Sequence, residues 1–109
     1  MKWIFNRKRE EETPDGKPPD EIIPDEIIIG RKLYNVKQST LIYEETHGYY
    51  CGFPLKSRTW YFRTKKGNYF EFEEITRHGF AVTEGEIKEI LLINDLTKYR
   101  ELFGEPEEA

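Results

Sequence analysis

Residues 61–72 read "YFRTKKGNYFEF", and this stretch decides the fold. Two segments rich in aromatic residues, which favour strands, flank a basic turn that contains a single glycine. Glycine adopts the left-handed backbone conformation that the last loop position of a three-residue β-hairpin requires. We therefore predict a β-hairpin whose loop is Lys65-Lys66-Gly67, with Gly67 at positive φ.

The register of this hairpin follows from side-chain alternation. With a three-residue loop, Phe62 faces Phe70 and Trp60 faces Phe72, so one face of the hairpin is entirely aromatic. A two-residue loop would place Phe62 opposite Glu71 and mix polar with apolar residues. We therefore expect the aromatic face to form the core. The opposite face is predicted to be polar and to point to solvent: Thr59, Tyr61, Arg63, Tyr69, Glu71 and Glu73.

Shorter strands precede and follow this hairpin. The segment "EIIIGRKLYNV" (residues 26–36) has strand-like runs on both sides of Gly30, and "TLIYEET" (residues 40–46) alternates Leu and Tyr with Ile and Glu. After the hairpin, "GFAVT" (residues 79–83) supplies another short strand. The glycine-punctuated segment "HGYYCGFP" (residues 47–54) is predicted to be irregular.

Helix signals follow the last strand. Thr83 and Glu86 form a capping box that begins one helix, and Asp95 can cap a second. Gly104 ends the second helix, and Pro106 prevents its continuation. Apolar stripes at helical spacing are expected to pack on the sheet: Ile87, Ile90 and Leu91 in the first helix, and Tyr99, Leu102 and Phe103 in the second.

These elements predict an α+β domain. Its curved, mostly antiparallel sheet of four to five strands spans residues 26–82, and the C-terminal helical segment packs on one face. A chain of 109 residues makes a single domain. Residues 10–26 hold four of the six prolines and eight carboxylates, so residues 1–25 are predicted to be a flexible head and an acidic, proline-rich linker. Residues 26–104 then form the domain, and residues 105–109 form an acidic tail.

The head contains Trp3-Ile4-Phe5 among basic residues. It is either a frayed terminus or a short motif that docks on a partner or on the chain's own sheet. Its apolar run is shorter than the roughly 7–15 residues of a signal peptide and the roughly 20 of a membrane span. The single cysteine, Cys51, permits no intramolecular disulfide and fits a reducing compartment. We therefore expect a soluble, cytoplasmic protein.

Three stretches resemble a family of short proteins from bacterial plasmids, phages and other mobile elements: "KLYNVKQSTLI", "WYFRTKKGNYFEF" and "KYRELFGEPEEA". The resemblance covers about residues 31–109, with the three stretches in the family's order. Val36 replaces the family's threonine, and Gly85-Glu86-Ile87-Lys88 replaces its E-E-A-K helix opening. The resemblance implies an accessory protein of a mobile element, a setting in which regulators and antagonists of host defence are common.

Residues capable of catalysis do not form a recognisable motif. His47 and Cys51 lie four residues apart and His78 follows the hairpin, but no nucleophile signature surrounds them. Two histidines and one cysteine at this spacing also make a poor zinc site. Cys51 is expected to be a small buried thiol. We therefore expect no enzymatic activity, no metal and no cofactor.

Charge is unevenly distributed and leaves two binding functions open. Residues 31–77 carry a net charge of +4, and the rest of the chain carries −8. In the first function, the protein is a non-catalytic protein-binding module that presents carboxylates to a basic groove, as an anti-CRISPR-like inhibitor of a host defence nuclease would by mimicking nucleic acid. The acidic candidates are Glu21, Glu105, Glu107 and Glu108.

In the second function, a basic, aromatic hairpin face binds nucleic acid, as in a small accessory or regulatory protein. The candidates are Lys56, Arg58, Tyr61, Arg63, Lys65, Lys66, Tyr69 and Arg77. The same residues also fit a solvated hairpin whose tip lysines deter edge-to-edge association of sheets, or a surface that binds an acidic protein partner. Protein binding is our first expectation, because strong nonspecific nucleic-acid binding favours a net positive charge.

Overall fold

The computed structural model describes residues 22–109 and confirms the α+β class. Predictions for the head, for most of the linker and for Glu21 fall outside these residues. The elements are β1 (Glu26–Ile29), β2 (Lys32–Asn35), β3 (Thr40–Tyr50), β4 (Phe53–Arg63), β5 (Tyr69–Glu73), β6 (Gly79–Val82), α1 (Glu84–Asn94) and α2 (Leu96–Phe103). Strands β3, β4, β5 and β6 form the main antiparallel sheet in that order, and β1 pairs with β2 in a separate sheet.

The pairing of β4 with β5 confirms the predicted register. Phe62 pairs with Phe70 and Trp60 with Phe72. The rings of Phe62 and Phe70 stack with centroids 4.9 Å apart and an interplanar angle of 12°. All four side chains are buried, with at most 1% of their surface exposed. This aromatic face is therefore core.

The turn between β4 and β5 also has the predicted geometry. The Thr64 N–H donates to the Asn68 carbonyl (2.8 Å), and the Gly67 N–H donates to the Thr64 carbonyl (2.9 Å). Gly67 has a φ of +89°, in the left-handed region. The three-residue loop with glycine at its last position is therefore confirmed.

The β1–β2 hairpin covers the aromatic face of the main sheet. Ile27 and Ile29 of β1 pack on it, and β1 crosses β6 at Gly79, where a Cβ would lie 2.6 Å from Ile27 Cδ1. Ile23, from the segment assigned to the linker, is 5% exposed and packs in the same core. We call the buried residues of this layer the aromatic cluster: Ile23, Val36, Trp60, Phe62, Phe70 and Phe72.

The two helices cover the opposite face, which corrects one prediction. Tyr61 and Tyr69, predicted to face solvent, are each only 6% exposed. They pack against the apolar stripes of α1 and α2, because a tyrosine ring is apolar even though its hydroxyl is polar. The buried residues of this layer form the helix-side cluster: Ile42, Tyr61, Tyr69, Ile87 and Leu91.

Both helices begin and end at the predicted residues. Thr83 and Glu86 form the capping box of α1, and the Asp95 carboxylate accepts the Lys98 N–H at the start of α2. Gly104 follows the last turn of α2 with a φ of +87°. Local sequence therefore determines the helix boundaries.

Residues 47–54, predicted to be irregular, extend two strands instead. β3 and β4 pair as far as Tyr50 and Phe53, with Cys51 and Gly52 in the turn, both at positive φ. Cys51 is exposed, so the expectation of a buried thiol is wrong. β5 pairs with β4 only from Thr59 onward. Residues 46–58 therefore form a two-stranded extension of the main sheet, which we call the arm.

A β-bulge in β3 alters the alternation expected for "TLIYEET". The register of β3 against β4 shifts between Leu41 and Tyr43, which leaves Ile42 as the extra residue. As a result Ile42 and Tyr43 both pack on the helix side, whereas Leu41 packs on the aromatic cluster. Glu44 returns to the aromatic side, where its Oε1 accepts the Trp60 indole N–H at 2.9 Å.

Removal of a core ring should be costly. Trp60→Ala and Phe72→Ala are each expected to lower the free energy of unfolding by about 3–5 kcal/mol in a urea titration. Phe53→Ala removes a ring that is 70% exposed, and this control should change stability by about 0.5 kcal/mol or less. A loss below about 1 kcal/mol for either core variant would contradict the burial of the aromatic face.

Gly67 should tolerate few replacements. Gly67→Val forces a β-branched residue to a φ of +89° and should destabilise the protein by at least about 1–2 kcal/mol. Gly67→Asn is the matched control, because asparagine tolerates the left-handed region and should cost less. Chemical denaturation of the two variants provides the comparison. Equal stability of both would show that the turn does not require positive φ.

Candidate functional site

The residues of the predicted basic hairpin face do not share one surface. Tyr61 and Tyr69 are buried beneath the helices. Side chains alternate between the two faces of a strand, so Arg58 lies on the side of Trp60, whereas Arg63 lies on the helix side. The predicted platform for nucleic acid on a single hairpin face is therefore not formed.

Two of the predicted basic residues serve the fold. The Arg58 guanidinium binds the Glu74 carboxylate through two hydrogen bonds of 3.2 and 3.0 Å, and it lies 4.9 Å from the centroid of the Trp60 ring. These hydrogen bonds hold the pKa of Glu74 below its ordinary value. Arg77 Nε donates to the Glu74 carbonyl oxygen at 2.9 Å. Arg58 thus fastens the β5–β6 connection to β4, and Arg77 stabilises the connection itself.

Lys65 and Lys66 contribute to a cleft that sequence reasoning did not identify. The cleft has a volume of about 540 Å³ and lies between β2 with its following turn and the β4–β5 turn. None of the residues that line it is Asp or Glu. We call it the basic cleft, and its polar lining includes Lys32, Asn35, Gln38, Lys65, Lys66 and Asn68.

A second polar surface lies on the helix side of the main sheet, beside the helices. Its carboxylates and His47 are half-buried and Phe80 is exposed. The Tyr61 hydroxyl, at the border with the helix-side cluster, donates to Glu45 Oε1 at 3.1 Å. Burial, followed by the charges of Glu71 and Glu45, raises the pKa of Tyr61 well above its ordinary value. We call this surface the open half-face: Glu45, His47, Glu71, Glu73 and Phe80.

Like charges crowd this surface. Glu71 is half-buried opposite Tyr61 on β4 and Phe80 on β6. Burial raises the pKa of Glu71, and the nearby carboxylates of Glu73, Glu45 and Glu86 raise it further. Side-chain alternation placed Glu71 and Glu73 on the polar face of the hairpin and did not include Glu45. Its position on β3, across from Thr59, became clear only once the β3–β4 register was known.

The open half-face has contacts that superficially resemble a hydrolase triad. His47 Nε2 lies 3.4 Å from Thr59 Oγ1 and 3.6 Å from Glu45 Oε1. In a triad the nucleophile and the carboxylate contact opposite ring nitrogens, whereas here both contact Nε2. Thr59 is also only 4% exposed, which keeps its hydroxyl from a substrate. Within residues 22–109 no group of three His, Cys, Asp or Glu side chains could hold a metal ion.

Among the exposed apolar side chains, Phe80 lies on the open half-face. Phe80 on β6 is 48% exposed. Phe53 and Leu55 on the arm are 70% and 45% exposed, but the register of β4 against β3 shifts between Ser57 and Pro54. Pro54 therefore lies on the side of Thr59, and Phe53 lies on the opposite side. The open half-face thus combines its carboxylates with the apolar surface of Phe80.

The predicted acidic residues of the tail lie elsewhere. Glu105 is exposed and binds Arg100, with Nε–Oε2 at 3.0 Å. Glu107 and Glu108 are exposed near the C-terminus. Glu21 precedes the part of the chain that the structure describes.

Comparisons of the chain with protein-family models, with curated proteins and with solved structures found no match. The interpretation of both surfaces therefore depends on their geometry. None of the helices between residues 22 and 109 is both long and apolar enough to cross a membrane.

Neutralising Glu71 should stabilise the protein at neutral pH. A pKa raised by folding means that the ionised carboxylate is less favourable in the folded state than in the unfolded chain. This penalty is present above the folded-state pKa and disappears below the ordinary value of 4.5. Glu71→Gln should therefore raise the thermal midpoint at pH 7, and the gain should vanish as the pH falls through that window.

The exposed helix residue Glu89 provides a matched control, since Glu89→Gln makes the same chemical change away from this cluster. Its effect on the midpoint should be small. A Glu71→Gln variant that is less stable than the parent at pH 7 would contradict the repulsion among these carboxylates.

Proposed function

We propose that this protein is a non-catalytic protein-binding module that docks through the open half-face. The partner surface is basic and apolar. The observation that carries the proposal is the juxtaposition of half-buried carboxylates with the exposed ring of Phe80, which lies opposite Glu71 on the helix side of the main sheet.

Electrostatics favours a cationic partner. Glu71 is half-buried among carboxylates that raise its pKa, so its charged form lowers the stability of the isolated domain. Basic side chains of a partner would relieve this repulsion, and charge complementarity of this kind also accelerates association. The carboxylates around Glu71 thus lower the stability of the free protein, and binding of a basic partner offsets this loss.

The exposed ring of Phe80 supplies the part of an interface that excludes water. Interface hot spots are enriched in large side chains that become fully desolvated on binding. Phe80 is 48% exposed and lies beside Glu71, so a partner can cover its ring without displacing the helices. A singly exposed apolar residue needs no explanation by itself, but its position among the carboxylates favours docking.

The resemblance to mobile-element proteins suggests a particular partner class. A host defence nuclease holds nucleic acid in a positively charged channel. Carboxylates presented on a sheet face can compete for such a channel by mimicking phosphates, which would make this protein an inhibitor of host defence. Glu107 and Glu108 near the C-terminus add a second set of carboxylates for the same purpose.

Partner capture by matched variants tests the proposal. The tagged full-length protein is used to capture proteins from a nuclease-treated bacterial lysate. Glu71→Gln/Glu73→Gln should weaken capture by about tenfold or more and slow association at low salt, even though Glu71→Gln stabilises the fold. Phe80→Ala should weaken it by a similar factor. Glu107→Lys/Glu108→Lys tests the tail in the same assay.

Two controls make the same changes on other surfaces. Glu89→Gln removes a carboxylate from α1, and Ile93→Ala removes an apolar side chain that is 75% exposed. Neither should alter capture. Capture that survives both half-face variants, or that is lost on nuclease treatment, would contradict the proposal.

A further inference from the structure

The basic cleft lies at the opposite end of the molecule from the arm. Lys65 and Lys66 follow the end of β4 at Arg63, whereas the arm occupies its beginning at Phe53. At about 3.3 Å per residue, the length of β4 separates the two regions by roughly 30 Å. A ligand in the cleft therefore does not reach the arm.

The lysines of the cleft have no counterion in the domain. Lys32, Lys65 and Lys66 are exposed, and none of them makes an ion pair within residues 22–109. By contrast, Lys88 and Lys98 on the helices pair with Glu84 and Glu101. Three uncompensated cations around one concave surface without a carboxylate create a positive potential that attracts an anion.

The rest of the lining suits a nucleotide better than a simple anion. Asn35, Gln38 and Asn68 provide carboxamides, which can donate to and accept from base edges or sugar hydroxyls. Leu33 is 60% exposed at the cleft and provides apolar surface for a base. Tyr34 supports this wall by packing against Phe70, with ring centroids 5.1 Å apart.

We propose that the basic cleft binds single-stranded nucleic acid, with phosphates on the three lysines and an unstacked base against Leu33 and the carboxamides. The volume of about 540 Å³ lies within the range of roughly 300–1,000 Å³ typical of small-ligand pockets. One or two nucleotide units fit this space. A duplex suits the cleft less well, because its bases are paired and stacked and cannot lie against Leu33. The proposal does not depend on the protein-binding function.

Fluorescence anisotropy with the full-length protein tests this site. The probes are labelled 12-nucleotide single-stranded DNA and RNA, with the corresponding duplex for comparison, at about 0.05 to 0.2 M salt. We expect micromolar binding of a single strand at the lowest salt and weaker binding of the duplex. Each of Lys32→Gln, Lys65→Gln and Lys66→Gln should raise the Kd about tenfold. Each should also reduce the slope of log K against log salt by about 0.7.

Two further variants separate the cleft from general charge attraction. Lys56→Gln removes the same charge from the exposed part of the arm and should leave both the Kd and the salt slope unchanged. Gln38→Ala should raise the Kd without altering the salt slope, because a carboxamide displaces no counterion. Equal effects of Lys56→Gln and Lys32→Gln would overturn the proposal.

Competition identifies the form of the ligand. Unlabelled mononucleotide at the same total phosphate concentration should displace the labelled strand poorly, since a strand engages several lysines at once. Displacement as effective as that by the unlabelled strand would show a free-nucleotide site and overturn the single-strand assignment. Absence of single-strand binding up to about 100 µM protein at the lowest salt would overturn the proposal as a whole.

Discussion

The packing of Phe62 on Phe70 and of Trp60 beside Phe72 holds the domain together. These pairs lie across β4 and β5, the two central strands of the main sheet, and all four rings are buried. Both outer layers depend on this register, because it places one set of side chains toward the β1–β2 hairpin and the alternate set toward the helices. A shift of one residue would exchange the two sets.

The two helices cover only part of their face of the main sheet, and the uncovered part is the open half-face. Ile87 and Leu91 bury the rings of Tyr61 and Tyr69, and the carboxylates farther along the sheet keep contact with solvent. The resulting repulsion around Glu71 lowers stability without contributing to the core. The proposed binding function would account for this cost in stability, which folding alone does not require.

Acidic and basic residues that are interspersed along the chain lie on separate surfaces of the folded domain. Residues 31–77 are basic on balance, yet four of their five carboxylates lie on the open half-face and at the Arg58–Glu74 pair, and three lysines lie in the basic cleft. The carboxylates of the open half-face lie alongside Thr59 and Tyr61 of β4, whereas Lys65 and Lys66 follow the end of the strand. Folding thus gives the domain separate negative and positive surfaces.

Local sequence determined the β4–β5 register, the Gly67 turn and the helix caps, because each depends on residues close together in the chain. Side-chain alternation along β4 also places Arg58 and Arg63 on opposite faces, but the prediction of a single basic face did not take it into account. The face that the helices cover, the Ile42 bulge, the β3–β4 arm and the basic cleft were decided by tertiary structure. Each depends on contacts between residues that are far apart in the chain, as Lys32 and Lys65 of the basic cleft are. Local sequence patterns do not specify such contacts.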